Sequence, residues 1–391
     1  MRKHIAVGID IGTYQVKVVV AERDSRSAAG TLRVVGAGIA ESRGLRHGYV
    51  VNSRDAAKSI ALAVAQAERG SKIKIKKAYI SIGGVGLQSM TTTGSTLISR
   101  GDSTVSDLDI DKAISAAERD LPQAYVLNQK IIHTIPLSWK IDGKVVMGRP
   151  QGMKGKKMEG KVLFVTCLSQ HLEDLVEAVS DAGIEVQDII ASPIAASLVT
   201  LSKSQKIAGC ILANIGAETL SLVVYENNLP ISLEIFPIGS TDITNDIALG
   251  MRLPIEEAES IKRGTHGDSS VSKKKLDEII IARLRDMFDL IESHLKKIDK
   301  NGLLPAGIII TGGGSGLATV EDLAKATLRL PSRIGRLGLS ESDDIKDSTW
   351  SVAYGLCLLG LGSESEDNIL HKQSSSDSAK KFLSFFKQFL P

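Results

Sequence analysis

Two stretches of the chain share one pattern: an apolar strand, a turn that contains glycine, and a second apolar strand. The first, VGIDIGTYQVKVVVAE, spans residues 7–22, and the second, ILANIGAETLSLVVYE, spans residues 211–226. Each first strand ends in a polar residue followed by Ile-Gly, and we expect Gly12 and Gly216 to adopt backbone angles that a tight turn requires. The repeat predicts a duplicated domain with one copy on each side of a cleft. Two unrelated hairpins of similar composition are the alternative.

The segment after the first hairpin alternates between helix and strand patterns. A helix is predicted over residues 53–70, and a strand-helix-strand-strand-helix block follows over about residues 79–183. Within the block, Ser106 and Asp107 precede an apolar periodic run and predict a helix N-cap. The block predicts a small α+β subdomain inserted into the first half of the chain.

The second half is mainly helical until a cluster of glycines. Helical patterns cover residues 244–251, 254–264 and 273–302, and the last of these is long and amphipathic. An apolar strand then leads into Gly312, Gly313 and Gly314, and a further helix follows. Residues 348–363 are uncharged and largely apolar but too few to span a membrane, which predicts a buried core helix.

The composition of the chain changes twice near its end. Residues 363–377 are serine-rich and polar, which predicts a flexible linker. Residues 378–391 predict an amphipathic helix that binds an anionic membrane surface, and a helix docked on its own domain is the alternative. The expected membrane contacts are four aromatic rings, a leucine and three flanking lysines: Phe382, Phe385, Phe386, Phe389, Leu390, Lys380, Lys381 and Lys387.

Overall composition indicates a globular protein and argues against a nucleic-acid partner. The 391 residues carry a net charge of +3, with 43% hydrophobic and 24% charged residues, as in ordinary globular proteins. Aromatic residues make up only 4%, so no base-stacking platform is indicated and we expect no nucleic-acid partner. The three cysteines lie far apart in apolar runs and are expected to be buried thiols in a reducing compartment. No secretory signal pattern precedes the first strand, so a cytoplasmic location is expected.

The glycine turns indicate phosphate chemistry. Backbone N–H groups that face inward in a turn form an anion-binding nest, and an aspartate at the mouth of that turn can hold Mg²⁺ through water. Two such turns that face each other would clamp the phosphates of one nucleotide. A run of three glycines between a strand and a helix would leave a flat backbone surface where adenosine can approach closely.

The same residues resemble a known superfamily. Three segments resemble the phosphate-1, phosphate-2 and adenosine motifs of the actin, Hsp70 and sugar-kinase superfamily. In that order they are GIDIGTYQVKVV, ANIGAETLSLVVY and IIITGGGSGL. More specifically, residues 42–52, residues 237–262 and the terminal amphipathic helix resemble the FtsA family of bacterial cell-division proteins. The resemblance covers essentially the whole chain. It implies an α/β, actin-like duplicated ATPase fold with the small α+β subdomain inserted in the first half.

The resemblance also implies a division into subdomains. The expected ranges are 1–78 with 184–203 and 345–362 for the first lobe (1A), 79–183 for the inserted subdomain (1C), 204–227 with 303–344 for the second lobe (2A), 228–302 for a nucleotide-capping subdomain (2B), 363–377 for the linker and 378–391 for the membrane helix.

Residue by residue, the resemblance implies a site for ATP and Mg²⁺. Asp10 would lie near the Mg²⁺, with Gly12, Thr13 and Lys17 on the phosphates. Asn214, Gly216 and Ala217 would form the opposite clamp, Glu259 and Lys262 would meet the ribose and base, and Gly312, Gly313 and Gly314 would lie behind the nucleotide.

Three departures from the superfamily pattern concern hydrolysis. Asn214 stands where most members have aspartate, GAET replaces the usual GGGT, and Ser192 precedes a proline where many relatives have glutamate. Hydrolysis needs a group that orients and deprotonates water, and neither Asn214 nor Ser192 does this well. Binding should survive, since it depends on backbone donors and Mg²⁺, so the enzymatic activity is left open and expected to be weak or absent.

The function that the resemblance implies is an adaptor. Such a protein would polymerise on the cytoplasmic face of the cell membrane at the division site and anchor the tubulin-like FtsZ ring. Its expected partners are the C-terminal tail of FtsZ through subdomain 2B, further copies of itself, the anionic membrane and other divisome proteins. The alternatives are a pilus-assembly actin homologue, a small-molecule kinase of the same superfamily and an Hsp70-type chaperone.

Overall fold

The computed structural model describes residues 4–23, 32–265, 272–337, 345 and 347–367. Its strands are β1 Ile5–Ile11, β2 Gln15–Arg23, β3 Leu32–Glu41, β4 Leu45–Arg46, β5 Tyr49–Val50, β6 Lys77–Ile82, β7 Gln88–Leu97, β8 Gln129–Ile141, β9 Lys144–Val146, β10 Lys157–Leu168, β11 Glu185–Ala191, β12 Cys210–Ile215, β13 Leu220–Glu226, β14 Leu229–Phe236, β15 Ile308–Thr311 and β16 Ser332–Ile334. Its helices are α1 Ser53–Ser71, α2 Asp107–Arg119, α3 Ser169–Asp181, α4 Ser192–Thr200, α5 Lys203–Ala208, α6 Ser240–Met251, α7 Ile255–Lys262, α8 Lys273–Lys297, α9 Val320–Leu328 and α10 Ser351–Asp367.

Two five-stranded sheets repeat one topology. The strand order is β3-β2-β1-β6-β11 in the first sheet and β14-β13-β12-β15-β16 in the second. In both, the first three strands are antiparallel and the last two add in parallel. The duplication predicted from the hairpins therefore extends to the whole sheet, which excludes two unrelated hairpins.

The central strands are apolar on both faces because each sheet is covered on both sides. In β2, Val16, Val18, Val19, Val20 and Ala21 are all buried. Helix α1 covers one face of the first sheet, and α10 packs on β1 and β2 from the other face. The apolar core of the first sheet continues into residues of β12 and β13, so the two lobes share packed side chains at the base of the cleft.

The inserted subdomain has its own sheet and its own small cores. Its strand order is β7-β10-β8-β9, all antiparallel, and α2 packs against β7 and β10. Ser106 caps α2 as the sequence predicts: its hydroxyl accepts the N–H of Asp109, whose carboxylate in turn accepts the N–H of Ser106. This capping box fixes the start of the helix.

Several element assignments differ from the ranges expected from the sequence. Strand β6 lies within 79–183 for most of its length but pairs with β1 and β11 in the first-lobe sheet. Helix α3 packs on α1, and its Leu175 and Val179 belong to the first-lobe core. Strand β14 pairs with β13, so it extends the second-lobe sheet and does not start the 228–302 subdomain. Each of these elements makes its main contacts outside the small subdomain: β6 and β14 pair with strands of the two large sheets, and α3 packs on α1.

The predicted core helix before the tail is present as α10. Its Ala353, Leu356 and Cys357 are fully buried, and Gly355 allows the helix to approach the backbone of Ala195. The helix continues to Asp367, so the first five residues of the predicted linker 363–377 are helical. The three cysteines are buried free thiols. Among the described helices, none combines the length and the apolar character that a membrane-crossing segment needs.

Candidate functional site

A cleft of about 880 Å³ lies between the two sheets, at the ends of their central hairpins. All twelve residues predicted to bind a nucleotide line this cleft: Asp10, Gly12, Thr13, Lys17, Asn214, Gly216, Ala217, Glu259, Lys262, Gly312, Gly313 and Gly314. Ser192, the position noted for its missing carboxylate, also lines it, at the start of α4. Tertiary structure thus brings together residues that lie up to 304 positions apart, from Asp10 to Gly314.

The two hairpin turns are built alike, but the sequence-based reason for their glycines is wrong. Neither Gly12 nor Gly216 has a positive φ. A Cβ at Gly12 would lie 2.9 Å from the carbonyl oxygen of Gln15, and a Cβ at Gly216 would lie 3.0 Å from that of Thr219. Both glycines are therefore favoured by the close approach of a backbone carbonyl at the equivalent position of each turn.

Asp10 and Lys17 face each other in adjacent strands of the first hairpin. The hydroxyl of Ser81, at the end of β6, donates a hydrogen bond to Asp10 Oδ1 at 2.9 Å. Burial raises the pKa of Asp10 above its usual range, against the opposing effects of Lys17 and the Ser81 hydrogen bond. Burial also lowers the pKa of Lys17, although the charges of Asp10 and Asp347 favour its protonated form.

This corner of the cleft has the chemistry of a phosphate and cation site. Asp10 is one carboxylate at a strand end, the kind of ligand that holds a largely hydrated Mg²⁺. A divalent cation beside it would favour the charged form that burial disfavours. The Lys17 ammonium lies 6.0 Å from the centre of the Trp350 ring, in a position to meet an anion that enters the cleft.

The glycine cluster lies against the second hairpin. Gly312 has φ +84°, and a Cβ there would lie 2.3 Å from Asn214 Oδ1, so both conformation and space require glycine. At Gly314 a Cβ would lie 2.4 Å from a methyl group of Ile215. A Cβ at Gly313 would meet no described atom within 4 Å. Gly313 is the glycine whose backbone faces open cleft, as an adenosine surface requires.

Glu259 and Lys262 form a closed ion-pair network on α7. The ammonium of Lys262 lies 2.7 Å from Glu259 Oε2 and also donates to Thr244 Oγ1 at 2.8 Å and to the Ser240 carbonyl at 3.0 Å. Burial alone would raise the pKa of Glu259, but hydrogen bonds from Lys262, Thr244 and Arg263 bring it down to about 2. Both residues line the cleft, yet their polar atoms already bind each other.

Several lining residues escaped the sequence analysis because their partners are distant in the chain. The N-terminus of α6 attaches to the second turn: the N–H of Ser240 donates to the Gly216 carbonyl at 2.9 Å, and that of Thr241 to the Ala217 carbonyl at 2.8 Å. The turn between β4 and β5 enters the cleft through Gly48, whose N–H donates to Thr13 Oγ1 at 3.1 Å. Gly48, which has φ +83°, was the signal in the sequence for this turn.

The predicted membrane residues form a separate group. Phe382, Phe385, Phe386, Phe389, Leu390, Lys380, Lys381 and Lys387 all lie outside the described residues.

Comparison with known proteins identifies the family. A family model described as cell division protein FtsA matches residues 211–355, and one described as the SHS2 domain inserted in FtsA matches residues 84–166. The cell division protein FtsA of Pseudomonas aeruginosa is 30% identical to this chain, and the alignment covers 95% of this chain and 93% of the relative. The chain belongs to the FtsA family of cell-division proteins. The cell division protein FtsA of Borreliella burgdorferi is 28% identical to this chain, over 98% of this chain and 97% of the relative.

Solved structures confirm the actin-like fold. A PilM–PilN type IV pilus biogenesis complex aligns with a TM-score of 0.68 at 18% identity, over 91% of this chain and 98% of that one. MreB5 of Spiroplasma citri bound to ADP aligns with a TM-score of 0.55 at 12% identity, over 94% of this chain and 99% of that one. At these identities the likeness concerns the fold alone. The SHS2 match begins after β6 and ends within β10, in agreement with the four-stranded sheet of the inserted subdomain.

Proposed function

We propose that the chain is an ATP-binding, actin-like adaptor that polymerises on the cytoplasmic face of the cell membrane and anchors the FtsZ ring at the division site. Family membership supports the role in cell division. The observation that carries nucleotide binding is that all twelve residues predicted from three separate motifs line one cleft. One structural relative with this fold, MreB5, is bound to ADP in one solved structure and to AMPPNP in another.

Each group of residues that lines the cleft would bind a different part of the nucleotide. The turns at Gly12 and Gly216 would hold the phosphates with backbone N–H groups, and Lys17 would neutralise their charge. Asp10 would hold a hydrated Mg²⁺, which when bound screens the charge of the phosphate oxygens. The open backbone at Gly313 leaves room for adenosine. Glu259 and Lys262 would meet the ribose and base only by giving up part of their mutual network.

Hydrolysis should be weak. Asn214 is uncharged, and Ser192 places a hydroxyl at the start of α4 where a carboxylate would be needed to deprotonate water. A protein that binds and exchanges ATP with little hydrolysis can use the bound nucleotide to control its polymerisation.

Membrane attachment is assigned to residues 378–391. Each aromatic ring contributes roughly 1.5–3 kcal/mol if fully buried and each lysine about 1 kcal/mol near anionic lipid. A helix this short is unstable in water and must fold as it inserts, so one tail binds only modestly. Polymerisation would place many tails on one surface and supply avidity. The remaining proposed partners are the C-terminal tail of FtsZ, through subdomain 2B, and other divisome proteins.

Co-sedimentation with liposomes tests the adaptor function. The full chain and a chain that ends at residue 377 are mixed with anionic vesicles, with and without Mg²⁺ and ATP, and with FtsZ or FtsZ that lacks its C-terminal tail. We expect the full chain to sediment with the vesicles, more completely with ATP, and to bring intact FtsZ with it. Membrane binding that does not depend on residues 378–391 would contradict the anchor, and equal recruitment of tailless FtsZ would contradict the proposed contact.

A further inference from the structure

Glu218, the third residue of the second turn, extends its side chain across the cleft. Its Oε2 accepts a hydrogen bond from the main-chain N–H of His47 at 2.5 Å. His47 Nδ1 lies 3.2 Å from the carbonyl oxygen of Glu218, so the two residues meet at two points. His47 belongs to the first half of the chain, between β4 and β5. Glu218 therefore connects the two halves directly at the level of the phosphate turns.

The turn that receives Glu218 also holds the first phosphate turn. His47 and Gly48 both have positive φ, at 48° and 83°. Their successive N–H groups donate in two directions, His47 to Glu218 and Gly48 to Thr13 Oγ1. The His47–Gly48 turn thus lies where the two phosphate turns come together, and its amide at His47 already binds an anionic oxygen.

Packing holds this turn in place. A Cβ at Gly48 would lie 2.4 Å from Gly84 Cα, so the two backbones are in close contact. The next residue, Tyr49, packs its ring 4.6 Å from that of His171, centroid to centroid. The His47 amide is therefore a fixed donor, and the partner that can move is the Glu218 side chain.

The internal duplication shows what is particular about Glu218. Tyr14 occupies the equivalent position in the first turn and also crosses the cleft, where its hydroxyl accepts a hydrogen bond from Arg263 Nη2 at 2.9 Å. The first crossing is made by a neutral phenol and the second by a carboxylate. Only the second places a negative side chain between the two phosphate turns.

We infer that Glu218 determines how the cleft discriminates nucleotides by their number of phosphates, an inference that rests on the proposed nucleotide binding. A terminal phosphate clamped between the two turns meets the Glu218 carboxylate and competes with it for the His47 amide. Like charges at such short range in a partly desolvated cleft repel strongly. A diphosphate, which ends one phosphate earlier, leaves the Glu218–His47 contact intact. Glu218 therefore weakens triphosphate binding selectively.

Calorimetric titration of the full chain with ADP and with a non-hydrolysable ATP analogue, both with Mg²⁺, tests this inference. Glu218→Gln removes the charge and keeps the shape, and Glu218→Gly removes the crossing side chain. We expect each to raise affinity for the triphosphate by at least about tenfold and affinity for ADP by less than about threefold. The matched control Glu256→Gln removes one charge from an exposed residue at the mouth of the same cleft and should leave the ratio of the two affinities unchanged.

The outcomes separate this inference from the proposed function. If the wild-type chain binds neither nucleotide, nucleotide binding itself is contradicted. If it binds both and the Glu218 variants leave the ratio of affinities unchanged, only the role of Glu218 is overturned. A loss of ATP turnover in Glu218→Gln without a change in that ratio would also overturn it, because Glu218 would then act on water. Thermal melting of each variant shows that the titrated protein is folded.

Discussion

Asp10 and Lys17 lie directly opposite each other in the first hairpin, and the second hairpin places Asn214 and Ser221 at the same two positions. One side of the cleft thus carries a buried pair of opposite charges and the other side carries two neutral polar groups. Because desolvated charges interact strongly with phosphate and with Mg²⁺, the first hairpin should dominate ligand charge neutralisation. Because Asn214 is uncharged where the first hairpin has Asp10, no carboxylate at this position of the second hairpin can activate water, which is why we expect weak hydrolysis.

Asn214→Asp restores a carboxylate at the second hairpin. We expect wild-type turnover of ATP to be very low and the variant to raise turnover more than affinity, because a carboxylate there can orient and deprotonate water. Steady-state phosphate release and calorimetric binding of ATP measure the two effects. Asn214→Ala is the control, since it changes the same residue without adding a base. Brisk hydrolysis by the wild-type chain would contradict this prediction.

Neighbouring glycines in the cluster should respond differently to valine. Gly313→Val should abolish nucleotide binding without unfolding the protein, because the new side chain projects into open cleft. Gly312→Val should instead lower the melting temperature, since residue 312 has φ +84° and no room for a Cβ beside Asn214. Calorimetry and thermal melting distinguish the two variants. Unchanged ATP affinity in Gly313→Val would show that adenosine binds elsewhere.

His294 should make the folded state sensitive to acid. Its ring lies between α8 and β14, where Nε2 contacts Ser232 Oγ at 2.9 Å and Nδ1 lies 3.8 Å from Glu234 Oε2. Burial, aided by Lys297, lowers the pKa of His294 from its ordinary 6.5 to about 4. Between pH 6.5 and pH 4, His294 therefore binds a proton in the unfolded chain but not in the folded chain. The free energy of unfolding falls as the pH drops through this range.

Denaturant unfolding at several pH values measures this effect. A single site contributes a slope of at most about 1.4 kcal/mol per pH unit. His294→Gln should remove part of the slope and not all of it, because burial also lowers the pKa of His133, to about 3. An unchanged slope in the variant would mean that His294 is already protonated in the folded state at these pH values.

Phe385 and Phe386 should carry membrane attachment. Replacing both by glutamate removes ring burial of roughly 3–6 kcal/mol at most and adds two charges to the lipid side, more than three lysines restore at about 1 kcal/mol each. The variant should leave the pellet in liposome sedimentation and still bind ATP. Ser384→Glu with Gln388→Glu adds the same charges away from the rings and should be retained better.

The linker should act only through its reach. Helix α10 ends at Asp367, so the segment to be shuffled at constant composition is 368–377. We expect membrane binding not to change, because a serine-rich polar sequence is predicted to act through its length and composition and not through the order of its residues. If the shuffled chain is released from vesicles, or the double glutamate variant stays bound, attachment resides elsewhere and the terminal helix docks on the protein itself or on a partner.

The sequence by itself determined the features that depend on local pattern. The hairpins at residues 7–22 and 211–226, the cap at Ser106, the core helix before the tail and the glycine cluster all appear where the pattern places them. Strand alternation, a capping hydroxyl and a glycine at a tight turn act within a few residues of each other. The motif residues could therefore be recognised before it was known that they share one cleft.

Only the tertiary structure decided which distant groups meet. Ser81 reaches Asp10 across 71 positions, and Glu218 reaches His47 across 171, so no local pattern reveals either contact. The same holds for β6 and α3, whose patterns fit both the small subdomain and the first lobe, where β6 pairs with β1 and α3 packs on α1. What decides between them is the apolar surface that each surrounding can bury, and that surface exists only after distant parts of the chain have come together.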